Sequence, residues 1–179
     1  MRRKAYDSAI EEIDGWMSPE ELRWLHEQAS EYASVVEIGC WKGRSTAALS
    51  LGCSGQVWTV DHFGGSPSEL DGAHGEARHA DIFAQAQTNL VAFANVRILN
   101  MTSLKASRCF SEYSVDMVFI DGEHTFDAVL LDLVAWGRKF RRLLCGHDRD
   151  MEGVQKALAV YGVPVSEGPG SIWHCERLA

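Results

Sequence analysis

A mostly parallel α/β sheet with helices on both faces is the fold class this sequence predicts, and three observations carry the prediction. From Ser34 onward, apolar runs of strand length alternate with amphipathic stretches of helical length. The runs are nearly continuous in apolar residues, as strands are when both faces of a sheet are covered. The chain end breaks this rhythm: "VPVSEGPGSIWHCERL" holds two short strand-like pieces joined by Gly168-Pro169-Gly170. That is a hairpin pattern, and it puts an antiparallel strand at or near one edge.

Each element has its own signal. Residues 1–17 read as a leader. The helix over 18–33 opens with Ser18 as N-cap, Pro19 at the first helical position and Glu21 completing a capping box. Leu22, Leu25, Ala29 and Tyr32 then repeat on one face. The strand runs are "SVVEIGC", "QVWTVDHF", "VRILNM", "VDMVFIDG" and "RRLLCGHD". Between them the spacing predicts helices over 44–51, closed by Gly52, over about 76–93, and over 125–140, where Val129, Leu133, Trp136 and Phe140 form a stripe. A last helix is predicted over 150–161, with Met151, Val154, Leu158 and Tyr161 on one face. The Gly- and Ser-rich stretch 63–78 is longer than a usual connection and reads as a mobile loop.

The 179 residues suit one domain, with 34–179 as its core. A net charge of −8 disfavours nucleic acid and anionic membranes as partners. No segment reaches the length of a membrane span, and no apolar stretch follows the basic Arg2-Arg3-Lys4, so a signal peptide is not expected. The five cysteines are odd in number and contain no C-x-x-C, which argues against a disulfide framework and a structural zinc site. A cytoplasmic location is expected.

Ligands of open α/β sheets bind at the carboxyl ends of the strands. Here those ends carry Glu37 and Gly39, Asp61, Asn100, Asp121 with Glu123 and His124, and His147 with Asp148. Strand interiors disfavour Asp, so carboxylates at four of five strand ends indicate a ligand site. "VVEIGCWKGRST" has three residues between Gly39 and Gly43 where a phosphate-binding P-loop needs four, and Arg44 where that loop has Lys. A dinucleotide fingerprint needs glycine at position 41, which is Trp. What remains is E-x-G-x-x-x-G, followed 24 residues after Glu37 by Asp61 at the end of the second strand. An acid there suits bidentate bonding to the two ribose hydroxyls of an adenosine, and an acidic rim suits a cation better than a polyphosphate.

In these segments the sequence resembles the class I S-adenosylmethionine-dependent methyltransferases. "VVEIGCWKGRST" is similar to their first motif, "VWTVDHF" to the acidic second, and "VDMVFIDGEHTFDAVLLDL" to the fourth-strand motif. The resemblance runs from about Ser18 to the terminal hairpin. It implies a Rossmann-like, seven-stranded sheet whose last strand is antiparallel, and S-adenosylmethionine as cofactor. Glu37, Gly39 and Gly43 would shape the loop under the methionine part, with Ser45 in the same cofactor-binding stretch. Asp61 would hold the ribose, His62 and Phe63 would lie beside the adenine, and Met101 and Thr102 would fall at its edge, with Asp121 also on the cofactor. The family often has an acid at about 100–102; this chain has Asn100 and Thr102.

A narrower resemblance links "IDGEHTFDAVLLDLVAW" and "GHD" to a subgroup with macrolide-sugar O-methyltransferases and a cephalosporin-type hydroxylase. It implies a divalent metal, Mg²⁺ or another, on Asp121, Asp148 and His147, and His124 and Asp121 as catalytic residues, with His124 the base. His147 stands where the sugar enzymes have an acid, which shifts the balance toward a transition metal or none. Plainer readings exist for each: His124 bonded at a helix start, His147 turned away, Asp148 capping the next helix, Trp41 packing its loop. The expected function is O-methylation of a small hydroxylated acceptor, with a homo-oligomer left open. The alternatives are a metal-dependent hydroxylase on the same scaffold, or a cofactor-binding protein without catalysis.

Overall fold

The computed structural model describes residues 10–69, 72 and 74–177. Among them, β1 (Ser34–Ile38), β2 (Gln56–Asp61), β3 (Val96–Asn100), β4 (Val115–Ile120), β5 (Phe140–Gly146), β6 (Ser166–Glu167) and β7 (Trp173–Glu176) form one sheet. Its order is β3-β2-β1-β4-β5-β7-β6. Strands β1 to β5 pair in parallel, and β7 runs antiparallel to both β5 and β6. The terminal hairpin is therefore present, with its antiparallel strand one place in from the edge. No described helix is long and apolar enough to cross a membrane.

The two-residue period of the strands divides the core into two layers. Val35, Val57, Met117, Phe119 and Leu143 face one layer with α1 (Pro19–Ala29), α2 (Arg44–Gly52) and α3 (Ile82–Leu90). Val36, Val60, Val118, Ile120 and Leu144 face the other, with α4 (Ser103–Ser107), α5 (Phe126–Trp136) and α6 (Glu152–Tyr161). Ile10, Ile13 and Met17 of the leader are buried in the first layer, so that segment is part of the core.

Where boundaries differ from the sequence expectation, caps explain it. The Asp81 side chain accepts from the Ala84 amide at 2.9 Å and starts α3 late, leaving Gly75–Arg78 as a 3₁₀ turn. Gly137 closes α5 after Trp136, and Phe140 belongs to β5 rather than to the helical stripe. The short helix α4 has no apolar period long enough to announce it. In the stretch expected as a mobile loop, Pro67–Glu69 forms a further 3₁₀ turn, and residues 70, 71 and 73 lie outside the described residues.

Gly146 pairs with Trp173 across β5 and β7, and an added Cβ would lie 2.3 Å from the Trp173 ring and 2.6 Å from the Ile120 carbonyl oxygen. Gly146→Ala is expected to destabilise the protein by about 1–3 kcal/mol through overpacking. Urea unfolding of both proteins measures this.

Candidate active site

The first half of the site is the loop between β1 and α2. It turns sharply, with positive φ at Gly39 (94°), Trp41 (49°) and Gly43 (95°). Asp61, at the end of β2, holds that turn: its Oδ2 accepts from the amides of Cys40 at 2.9 Å and Trp41 at 2.8 Å, and its Oδ1 from Phe63 at 2.7 Å. A carboxylate offers about four acceptor sites, so one remains, on Oδ1.

The packing of the chain itself also requires both glycines. A Cβ on Gly39 would lie 1.9 Å from the Asp121 carbonyl oxygen, so the close approach is made by the end of β4. At Gly43 the added atom would meet Leu90 of α3 at 2.8 Å. Neither Gly43 nor Glu37 lines the cleft. Glu37 is fully buried between the sheet and α2, where its Oε2 accepts from the hydroxyls of Thr46 and, at 2.6 Å, Thr59. Its Oε1 is buried without a partner, and burial pushes the carboxyl up to about 7 against the hydroxyls around it. Phe63 also departs from expectation. Its ring is buried against Phe83, with centroids 5.0 Å apart, so it faces the core and not a base in the cleft.

The second half is an acid–imidazole cluster at the ends of β4 and β5. Asp148 is held at a positive φ of 54°, unusual outside glycine, and its Oδ2 lies 2.8 Å from His124 Nε2 and 3.0 Å from His147 Nδ1. It does not cap α6, whose N-cap is Met151. Burial would raise the Asp148 carboxyl, but the two histidines hold it well below the usual carboxylate range. His147 Nδ1 also lies 3.5 Å from Asp121 Oδ1, and its Nε2 is 3.0 Å from Glu21 Oε1. Burial alone would lower His147, yet the carboxylates of Asp121 and Asp148 outweigh it and push it up to about 11.

His147 thus has both ring nitrogens against carboxylates, which favour its protonated form. Of the expected metal ligands, Asp121 and Asp148 come together with His124, and His147 stands outside that group. The donor atoms within 4.8 Å of one another belong to Asp121, His124 and Asp148.

One cleft of about 740 Å³ joins both halves. Gly39, Ser45, Asp61, His62, Met101 and Thr102 line it, as do Asp121, His124, His147 and Asp148. Three further residues that the sequence reading missed bear on the site. Glu21 is one: its capping role explained it so fully that nothing signalled a second contact. Trp16 stands in the wall with Trp41 and His74, with centroids 4.8–5.5 Å apart among the three rings. Asp132 did leave a signal, because an acid at that position falls on the apolar stripe of α5, three residues after Val129 and four before Trp136.

The family model for a methyltransferase domain matches residues 36–145, which contain both halves of the cleft up to the end of β5. The chain belongs to that family. Among solved structures, this methyltransferase is similar to a putative O-methyltransferase from Klebsiella pneumoniae, 16% identical with a TM-score of 0.64 over 94% of this chain and 87% of that one. It is also similar to a putative caffeoyl-CoA O-methyltransferase from Staphylococcus aureus, 12% identical with a TM-score of 0.64 over 97% and 90%. A third is an O-methyltransferase from Bacillus cereus in complex with SAH, 18% identical with a TM-score of 0.59 over 98% and 88%. At these identities the likeness is one of fold.

Two measurements separate scaffold from ligand roles. Asp61→Ala strands three backbone amides and is expected to lower the stability of the ligand-free methyltransferase by about 2–3 kcal/mol. A residue that served only a ribose would leave ligand-free unfolding unchanged. Glu37 gives a pH signature. Its folded value near 7 lies above the ordinary 4.5, so between these pH values the folded state keeps a proton that the unfolded state has lost. Stability falls as pH rises through that window, by about 3 kcal/mol, and levels off above it. Glu37→Gln removes this slope, which urea titrations of both proteins at pH 5 and pH 8 reveal as a changing stability difference.

Proposed function

We propose that this methyltransferase carries the methyl group of S-adenosylmethionine to an oxygen of a small hydroxylated acceptor. The observation that supports this reading is a single cleft faced by both the Asp61-anchored loop and the Asp121–His124–Asp148 cluster. The chain's residues fit the cofactor: Asp61 keeps one acceptor site for a ribose hydroxyl, Gly39 leaves its backbone bare beside Asp121, and Asp121 puts a carboxylate where a cationic ligand is favoured. When bound, S-adenosylmethionine supplies an electrophilic methyl on a sulfonium centre.

The rest is done by side chains of this chain. His124 takes the acceptor's hydroxyl proton, and Asp148, bonded to its Nε2, fixes the ring and stabilises its charged form. His147, with carboxylates against both ring nitrogens, holds Asp121 and Asp148 in place. Trp16, Trp41 and His74 give the cleft an aromatic wall that orients an acceptor.

A second reading rests on the closeness of the Asp121, His124 and Asp148 donor atoms. Two carboxylates and an imidazole fit a divalent ion, with Mn²⁺ or another transition metal better served than Mg²⁺. Such an ion would supply Lewis acidity that lowers the pKa of the acceptor hydroxyl.

Calorimetric titration with S-adenosylhomocysteine and, separately, Mn²⁺ tests both readings. Binding of S-adenosylhomocysteine is expected in wild type and in Asp148→Asn alike. The substitution should weaken Mn²⁺ about tenfold or more, because an amide is a poorer ligand than a carboxylate. Absence of S-adenosylhomocysteine binding overturns the cofactor reading; absence of Mn²⁺ binding removes the metal and leaves the His124–Asp148 pair as the base.

A further inference from the structure

Helix α5 buries one face in the second core layer through Val129, Leu133 and Trp136. At about 100° of turn per residue, the opposite face carries Asp127, Leu131, Val134 and, just past the helix end, Arg138. Gly137, which closes the helix, keeps helical dihedrals (φ −62°, ψ −10°), so the chain carries the stripe on as far as Arg138. The stripe is open to solvent: Leu131 is 50% exposed and Val134 60%. One large apolar residue on a surface needs no explanation. Two on a single stripe of a helix that is apolar nearly all round do, because such a helix is normally covered. The helices on either side in the same layer add exposed Leu104 of α4 and exposed Val160 of α6.

The order of the four residues says what covers them. Along the chain it is acid, apolar, apolar, base, at steps of four, three and four. Turned end for end, the spacing is the same and the charges exchange places. A second α5 laid antiparallel about a twofold axis therefore sets Leu131 against the partner's Val134. It also sets Asp127 against the partner's Arg138, and each contact occurs twice. Steps of four, three and four are those of a seam between two helices, and antiparallel helix dipoles attract. The Asp127 side chain takes no hydrogen bond or ion pair among the described residues. Arg138 meets Glu112 at 3.1 Å on the open surface, and its guanidinium has donors left for a second carboxylate. The two charges would suit the helix dipole in a monomer as well; the apolar pair between them would not.

We propose that this face is the interface of a homodimer, with α5 antiparallel to α5 about a twofold axis between Leu131 and Val134. The pairing is independent of what the cleft binds.

Sedimentation velocity of the full chain over about a hundredfold range of concentration tests it. The wild-type protein should show a monomer–dimer equilibrium. Asp127→Arg sets two bases against each other across the seam, and Arg138→Asp sets two acids; each alone should weaken association by about tenfold or more. Mixed in equal amounts, the two variants carry opposite charges at both facing positions and should form a heterodimer close to wild-type strength. That rescue needs both chains folded, so it separates loss of the seam from loss of the fold. Val134→Asp should weaken the wild-type dimer and, added to either variant, abolish the rescue. A wild-type protein that stays monomeric over the whole range overturns the proposal. So does a dimer that either charge reversal leaves unchanged, or a pair of variants that fails to associate when mixed.

Discussion

Three carboxylates from three distant segments meet around the His147 ring, and this side of the cleft depends on that charge balance. Glu21 comes from the first turn of α1, Asp121 from the end of β4 and Asp148 from beyond β5; His147 touches all three. Without its positive charge the acids would repel one another at the low effective dielectric of a part-buried rim. The same contact ties in the terminal hairpin, since Glu21 Oε1 accepts from the Ser171 amide at 3.0 Å and an atom added to Gly170 would lie 2.2 Å from that oxygen. Helix α1 and the terminal hairpin are thus locked to the rim by one capping glutamate. Its capping box is complete as well, so local helix initiation and long-range assembly share a side chain.

The loop after β1 is organised on the same principle, with an acid serving as scaffold. Asp61 gathers three amides and so fixes a loop that carries positive φ at three of its five residues. A turn of this shape leaves backbone N–H groups without helix or strand partners, and a carboxylate from the neighbouring strand is an efficient way to satisfy them. What is left over for a ligand is one lone pair. An acid in this role orders the loop in the ligand-free chain, which makes the turn pre-organised.

Across the mouth of the cleft, Lys42 fastens two peripheral segments to the loop. Its Nζ lies 2.8 Å from Asp14 in the leader and 2.6 Å from Glu76 in the 3₁₀ turn after β2. Trp16 and His74 are carried by those same segments, and they meet over Trp41. The aromatic wall is therefore assembled by an ionic clasp one residue away. Both partners of Lys42 are largely exposed, so the clasp contributes position more than stability.

The amino-acid sequence by itself determined the alternating architecture, because near-continuous apolar runs and capping signals are local and survive any tertiary context. It determined the rim as well: Asp61, Asp121, His124 and Asp148 are legible as strand-end acids and their neighbour, and all four face the cleft. What only the tertiary structure decided was which partner each group takes. His147 and His124 both stand near a strand-end Asp in the sequence, yet Asp121, Asp148 and Glu21, the last 126 residues away, surround the first with carboxylates, while the second joins the Asp121–Asp148 pair. Phe63 and Trp41 are both aromatic residues in glycine-rich turns; the side of the sheet on which α3 packs puts the first in the core, and the leader puts the second in the wall. Charge state and ring placement are set by contacts between segments far apart in the chain, and no local pattern encodes the distance at which those segments meet.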